Sequence, residues 1–161
     1  MIENKNFRKK RGIRMAKGMH QIDVDASRAN VWEFIRDMNA WAPLVPGYKG
    51  HTILSDVHST WTFTIHYGVM RKKLHVNVLI TEWKEPTKVK FTLNGINQHF
   101  TGEGFFNSQE VNDRTSRMTG SLEIEATSSI GKLLQSTFDK MVIDLTKELT
   151  EAVGRAIEKK S

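Results

Sequence analysis

The chain offers few residues whose type and spacing would do chemistry. It contains no cysteine, which excludes disulfides, thiolate nucleophiles and thiolate metal sites. Its six histidines are never three or four residues apart on a predicted helix, and five fall on outward or turn positions of predicted strands. A metal site would need three of them to converge. No phosphate-binding glycine loop or zinc-protease motif occurs. We therefore expect no catalytic residue, no metal and no cofactor.

Two ionisable side chains fall on positions that are predicted to face inward from their strands. His20 alternates with Ile22 and Val24 on one face, and Glu82 follows Ile80. A histidine at a strand start is more often hydrogen-bonded structure than part of a site. His20 is nevertheless the polar candidate for a binding cavity. Glu82 stands at a strand end, where we expect it to turn toward solvent.

Aromatic side chains are the strongest positive feature of the sequence. Most of them must be core, but ligand pockets are lined by the same apolar groups with few polar ones. Trp41 is predicted to lie outside regular structure, next to Pro43, in a loop over a cavity mouth. The candidate ligand-binding residues are Trp41, Trp61, Phe63, Phe91, Phe100, Met118, Phe138 and His20.

Hydrophobic periodicity predicts the elements that would position these side chains. Residues 18–26 alternate as a strand, and Ser27 then has the N-cap position of a short helix. Pro43 and the Pro46-Gly47 turn prevent that helix from continuing. Asp37 is predicted to end it and to accept backbone hydrogen bonds from the loop leading to Pro46. Six alternating segments with turns between them follow, and they predict antiparallel strands.

The last segment changes its period. From Ser129 to Lys159 apolar residues recur every three or four positions, which predicts a long amphipathic helix. The predicted apolar stripe comprises Ile130, Leu134, Phe138, Met141, Leu145, Leu149, Ala152 and Ala156. A curved antiparallel sheet has an apolar face that must be covered, and only this helix is long enough to cover it. We therefore predict an α+β fold in which the sheet wraps around the C-terminal helix and leaves a cavity between them.

This order of elements resembles the helix-grip fold of the START/Bet v 1-like superfamily. Within it, the segment "VWEFIRDMNAWAPLVPG" resembles the branch associated with carbon monoxide dehydrogenase, with Asp37 closing a tryptophan-containing helix before Pro46-Gly47. The later "GEGFF" and "GSLEI" fit the same pattern, and the resemblance covers residues 17–158. Trp41 replaces a smaller residue of that pattern. No hydrophobic segment follows the last helix, so a permanent membrane anchor is not expected.

The resemblance implies a carrier that binds a hydrophobic small molecule or lipid, and suggests a quinone-like or isoprenoid ligand. It also implies transient partners, either a membrane or a redox enzyme. Two alternatives remain: an enzyme of the polyketide cyclase or aromatase type, and an assembly factor for a redox enzyme. An enzyme requires converging polar groups deep in the cavity, whereas a carrier requires an almost wholly apolar wall.

The charge of the chain is concentrated at its N-terminus. The net charge is +6, and residues 1–18 hold seven of the 24 basic residues but one of the 18 acidic residues. The remaining 17 basic and 17 acidic residues balance. We predict a basic, disordered tail over residues 1–16 and a single domain over residues 17–161. We predict Met15 as the native start and expect no specific nucleic-acid partner. The sequence shows no secretory signal, which predicts a cytoplasmic protein.

Overall fold

The computed structural model describes residues 14–67, 69–96, 100–126 and 138–161. This part of the chain forms an antiparallel seven-stranded sheet, two short helices and a long C-terminal helix. The strands are β1 (Arg14–Val24), β2 (Tyr48–Ile53), β3 (His58–Tyr67), β4 (Met70–Lys84), β5 (Lys88–Gly95), β6 (Phe100–Asn112) and β7 (Thr115–Ala126). The helices are α1 (Arg28–Ile35), α2 (Met38–Trp41) and α3 (Phe138–Lys160), with a 3₁₀ turn at Ala42–Leu44. The predicted helix-grip architecture is confirmed.

The strand order of the sheet is β1-β7-β6-β5-β4-β3-β2. Strands β2 to β7 follow one another as a meander, and β1 joins the far edge by pairing with β7. Inward residues stand opposite one another across this register, as Trp61 does to Val76 and Ile80 to Phe91. The concave face therefore carries large apolar side chains from neighbouring strands.

The first strand begins earlier than the sequence predicts. Arg14 pairs with Ala126, and Ala16 is buried opposite Ile124. Residues 14–16 therefore belong to the sheet, and the predicted disordered tail over residues 1–16 is wrong at its last three residues. Periodicity missed them because backbone pairing, not an alternating apolar pattern, recruits them. The predicted tail over residues 1–13 lies outside the described residues, and the start at Met15 stays a prediction.

The short helices α1 and α2 form a plug at one end of the sheet. The Ser27 hydroxyl accepts a hydrogen bond from the Asn30 backbone N–H at 3.2 Å, which is the predicted N-cap of α1. Asp37 caps the start of α2 instead of ending α1, because its Oδ1 accepts the Asn39 backbone N–H at 3.0 Å. Its negative charge therefore stands at a helix N-terminus, where the helix dipole favours it.

The C-terminal helix α3 lies mainly on β1 and β7. A Cβ atom on Gly18 would lie 2.5 Å from Thr146 Oγ1, and one on Gly120 would overlap Thr150 Oγ1. Both threonine hydroxyls donate to carbonyls of their own helix, at 2.8 Å and 2.7 Å, so they are satisfied within a dry interface. These four residues form a glycine–threonine seam, which lets helix and sheet approach closely.

The buried side of α3 differs from the predicted stripe. Phe138 is buried as predicted, but Met141, Leu145 and Leu149 are only half-buried. The other residues on the buried side are Val142, Thr146, Thr150, Val153, Gly154 and Ile157. Hydrophobicity alone misplaced the face because the closest contact uses small and polar residues. The predicted helical positions Ile130 and Leu134 lie outside the described residues.

Candidate functional site

A cavity of about 100 Å³ lies between α3 and the concave face of the sheet. The described residues contribute no polar surface to its wall. The helix supplies Phe138, Met141, Val142, Leu145 and Leu149, and the sheet supplies Trp61, Phe63, Ile65, Lys72, Leu74, Val76, Val78, Phe91, Leu93, Phe100, Leu122, Ile124 and Ala126. Trp41 and Val45 close the lining.

The cavity follows from where the helix is seated. The glycine–threonine seam holds α3 against β1 and β7 at one side of the sheet. Strands β3 to β5 lie farther along the sheet from β1 and β7, and their inward side chains line the space without filling it. The half-buried Met141, Leu145 and Leu149 face this space. The predicted apolar stripe of the helix therefore lines the cavity more than it packs the core.

Six of the eight candidate residues line this cavity. One comes from α2 (Trp41), two come from β3 (Trp61 and Phe63), and one each comes from β5 (Phe91), β6 (Phe100) and the start of α3 (Phe138). Strand parity brought the sheet residues together, because successive inward positions share one face. Their role in binding a ligand stays a prediction.

Met118 and His20 do not line the cavity. Met118 is wholly buried. Along β7, however, Gly120 lies between Met118 and Leu122, which lines the cavity. Thr150 of α3 contacts the strand at Gly120. The seam therefore separates Met118 from the cavity. His20 stands opposite Gly120, and its Nε2 lies 3.2 Å from Glu151 Oε2 at the flank of α3. Its inward parity was right, but the helix occupies that face.

Trp41 is part of the plug, not a gate in a loop. It is the last residue of α2 and is 1% exposed. Its indole Nε1–H donates to the Ile35 carbonyl at 3.0 Å. Its ring centroid lies 5.3 Å from that of Trp61, 5.2 Å from Phe91 and 5.1 Å from Phe106. The crowded corner after α1 therefore seals one end of the cavity with an aromatic cluster.

A polar chain of contacts ties the plug to the edge strand β2. His51 Nε2 lies 2.7 Å from Asn39 Oδ1, and its Nδ1 lies 2.5 Å from the Tyr48 hydroxyl. Because an amide oxygen only accepts, His51 Nε2 is the donor in the contact with Asn39. The sequence placed His51 outward, but it stands opposite Trp61, after an irregularity between Tyr48 and Gly50 that shifts the strand register. Periodicity alone does not reveal such a bulge.

The described residues contain no cluster of three or more metal-ligating side chains. Glu82 is exposed, as expected at its strand end. On the outer face, Arg117 Nε donates to Asp23 Oδ1 at 2.9 Å and lowers the pKa of that carboxyl below its ordinary value. Lys72 is the ionisable residue of the cavity lining. No helix in the described ranges is long and apolar enough to cross a bilayer.

A protein-family model matches residues 15–160, which is nearly the whole folded chain. The chain belongs to the START/Bet v 1-like superfamily. No curated protein matches it. Membership of the branch associated with carbon monoxide dehydrogenase stays a prediction.

Solved structures of this superfamily share the fold at low sequence identity. A conserved protein from Geobacillus kaustophilus has a TM-score of 0.70 and 17% identity, covering 89% of this chain and 96% of its own. A START superfamily protein from Mycobacterium smegmatis has a TM-score of 0.65 and 18% identity, covering 89% and 95%. The Zhui aromatase/cyclase from a Streptomyces species has a TM-score of 0.60 and 11% identity, covering 91% and 93%. Identities this low establish the fold alone.

Proposed function

We propose that this START-like chain is a carrier that binds a hydrophobic small molecule or lipid between the sheet and α3. The observation that carries the proposal is a cavity of about 100 Å³ to which the described residues contribute no polar surface. Apolar cavities remain dry, so a ligand does not have to displace hydrogen-bonded water. Each 100 Å² of apolar ligand surface removed from water contributes about 2.5 kcal/mol.

The finer form of the proposal rests on the sequence resemblance. A quinone-like or isoprenoid ligand, presented transiently to a membrane or a redox enzyme in the cytoplasm, fits the pattern of the carbon monoxide dehydrogenase branch. A second candidate, an enzyme of the cyclase type, is supported by the fold shared with the Zhui aromatase/cyclase. Acid–base catalysis needs polar groups within hydrogen-bond reach of the substrate. The cavity wall among the described residues has no polar surface, which favours the carrier.

The first test is native mass spectrometry of the protein purified from its own host. We expect a population heavier than the chain by the mass of an apolar molecule that is released on denaturation. Binding of a polarity-sensitive fluorescent probe in vitro provides the second measurement. A protein that carries no added mass and binds no apolar probe would contradict the carrier function.

A pair of tryptophan substitutions on α3 tests whether the probe binds in the cavity. Leu145 lines the cavity from α3, whereas Ile143 on the same helix is 51% exposed. We expect Leu145→Trp to weaken probe binding by about tenfold or more, equivalent to about 1.4 kcal/mol. Ile143→Trp adds the same ring outside the cavity and should leave binding unchanged. Equal binding by both variants would place the probe elsewhere.

A further inference from the structure

One basic side chain interrupts the apolar character of the cavity lining. Lys72 on β4 lines the cavity beside Leu74 on its own strand and opposite Ile65 on β3. Its inward position follows from parity, because Leu74 two residues later is buried while Lys73 between them is exposed. A lysine at this position is therefore built into the wall and is not a residue of the outer surface.

The wall itself receives only the stem of Lys72. The described residues give the cavity no polar surface, so the aliphatic stem of Lys72 faces the cavity and its ammonium group does not. Lysine commonly covers apolar surface in this way while its charged head stays hydrated. The cation consequently stands where a ligand's buried tail would give way to its exposed end.

The surroundings of Lys72 contain little negative charge. Residues 57–81, which include all of β3 and most of β4, contain no aspartate or glutamate. On the facing helix, Asp144 is paired with Lys140 Nζ at 2.8 Å, and Asp139 has an interaction of its own. Among the described residues no hydrogen bond or ion pair engages the Lys72 side chain. Arg71 and Lys73 add positive charge on the outer face of the same strand, which strengthens the local potential for anions.

We propose that the ligand is an anionic amphiphile, with a hydrocarbon tail inside the cavity and a carboxylate or phosphate head paired with the Lys72 ammonium at the rim. This inference rests on the proposed carrier function and narrows it, since a quinone has no such charge. A charged head also explains how an apolar cavity fixes the direction of its ligand: the tail enters first, and the head remains at the cation.

The test compares ligands that differ only in their head group. Decanoate, decyl phosphate and 1-decanol share one tail, and their dissociation constants are measured by calorimetry at pH 8 and low salt. We expect the wild-type protein to bind one or both anions about three- to tenfold more tightly than the alcohol, as a charge-assisted contact at a partly exposed rim provides. The anion that binds more tightly identifies the head group.

Two variants assign that preference to one residue. Lys72→Met keeps a stem of similar length without the charge, and should bind the anions and the alcohol equally. Lys73→Met removes the same charge from the outer face and should retain the preference. Melting curves of both variants verify that they are folded.

The outcomes separate this inference from the carrier function. Equal binding of anions and alcohol by the wild-type protein overturns the inference while the carrier function stands. A preference that survives Lys72→Met, or that disappears equally in Lys73→Met, also overturns it, because the effect then belongs to general surface charge. Absence of binding by all three decyl compounds overturns the inference together with the carrier function for such tails.

Discussion

The two sides of α3 show opposite relations between residue size and packing. Toward β1 and β7 the helix presents threonines to glycines, and a single added carbon atom at Gly120 would overlap Thr150. Toward β3, β4 and β5 the sheet presents tryptophan and phenylalanine, yet a cavity of about 100 Å³ remains. The small residues thus make the tight contact, and the large residues surround the hollow.

This difference shows that backbone separation, not side-chain bulk, determines which side is filled. The glycine–threonine seam fixes the helix against one side of a curved sheet. On the other side, the aromatic rings line the cavity without filling it. The cavity is therefore maintained by the tight contact that holds the helix at the seam.

The largest expected effect concerns Trp41, which closes one end of the cavity. Trp41→Ala should lower the free energy of unfolding by about 3–5 kcal/mol, because it removes a fully buried ring from contact with three others. Chemical denaturation monitored by circular dichroism measures the loss. Trp41→Phe keeps a ring but not the hydrogen bond to Ile35, and should cost less. A loss below about 1 kcal/mol for Trp41→Ala would mean that the plug does not stabilise the fold.

The next effect tests the seam. Gly120→Ala should lower the free energy of unfolding by about 1–3 kcal/mol, because the new methyl group overlaps Thr150 in a closely packed interface. Gly50→Ala is the matched control, since nothing lies within 4 Å of a Cβ at that position. Adding Thr150→Ala to Gly120→Ala should restore part of the lost stability in a double-mutant cycle. No coupling between the two changes would contradict the tight contact.

Added bulk on the hollow side should cost much less. Leu149→Phe enlarges a half-buried residue that faces the cavity, and should change the free energy of unfolding by less than about 1 kcal/mol. Thermal melting beside Gly120→Ala measures the contrast directly. If the two substitutions were equally destabilising, the comparison between the two sides of α3 would fail.

The smallest expected effect concerns the outer face of β1, opposite to the seam. Arg117 lowers the pKa of Asp23 through a hydrogen bond, so this carboxylate favours the folded state above its ordinary pKa of 3.8. That contribution should be lost as the pH falls through the lowered folded value. An NMR titration of the Asp23 carboxyl measures the shift, and Arg117→Gln should return the pKa toward 3.8. An unchanged pKa in this variant would show that the pair does not form in solution.

Patterns that depend on periodicity could be predicted from the sequence. Alternation identified the strand faces that carry Trp61, Phe63 and Phe91, and the single long helix required a sheet wrapped around it. The seam could not be predicted, because hydrophobicity ranks Thr146 and Thr150 as solvent-facing positions. Because the sequence does not reveal the seam, it does not predict which part of the interface between α3 and the sheet is hollow. The sequence analysis therefore placed Met118 in the cavity.

Local geometry explains the remaining differences. His51 changed face because a register shift after Tyr48 alters the strand parity. Trp41 joined a helix because Asp37, read as the end of α1, begins a second helical turn. Both features depend on hydrogen bonds between residues that periodicity treats as independent.

The hollow side of the protein also makes its stability dependent on pressure. The volume decrease on unfolding scales with the internal void that unfolding eliminates, and this protein holds a cavity of about 100 Å³ between α3 and the sheet. Unfolding admits water to this space, so compression favours the open chain. A bound ligand removes that advantage by occupying the space in the folded state. The resistance of the protein to hydrostatic pressure should therefore report whether the cavity is occupied, without any label on the ligand.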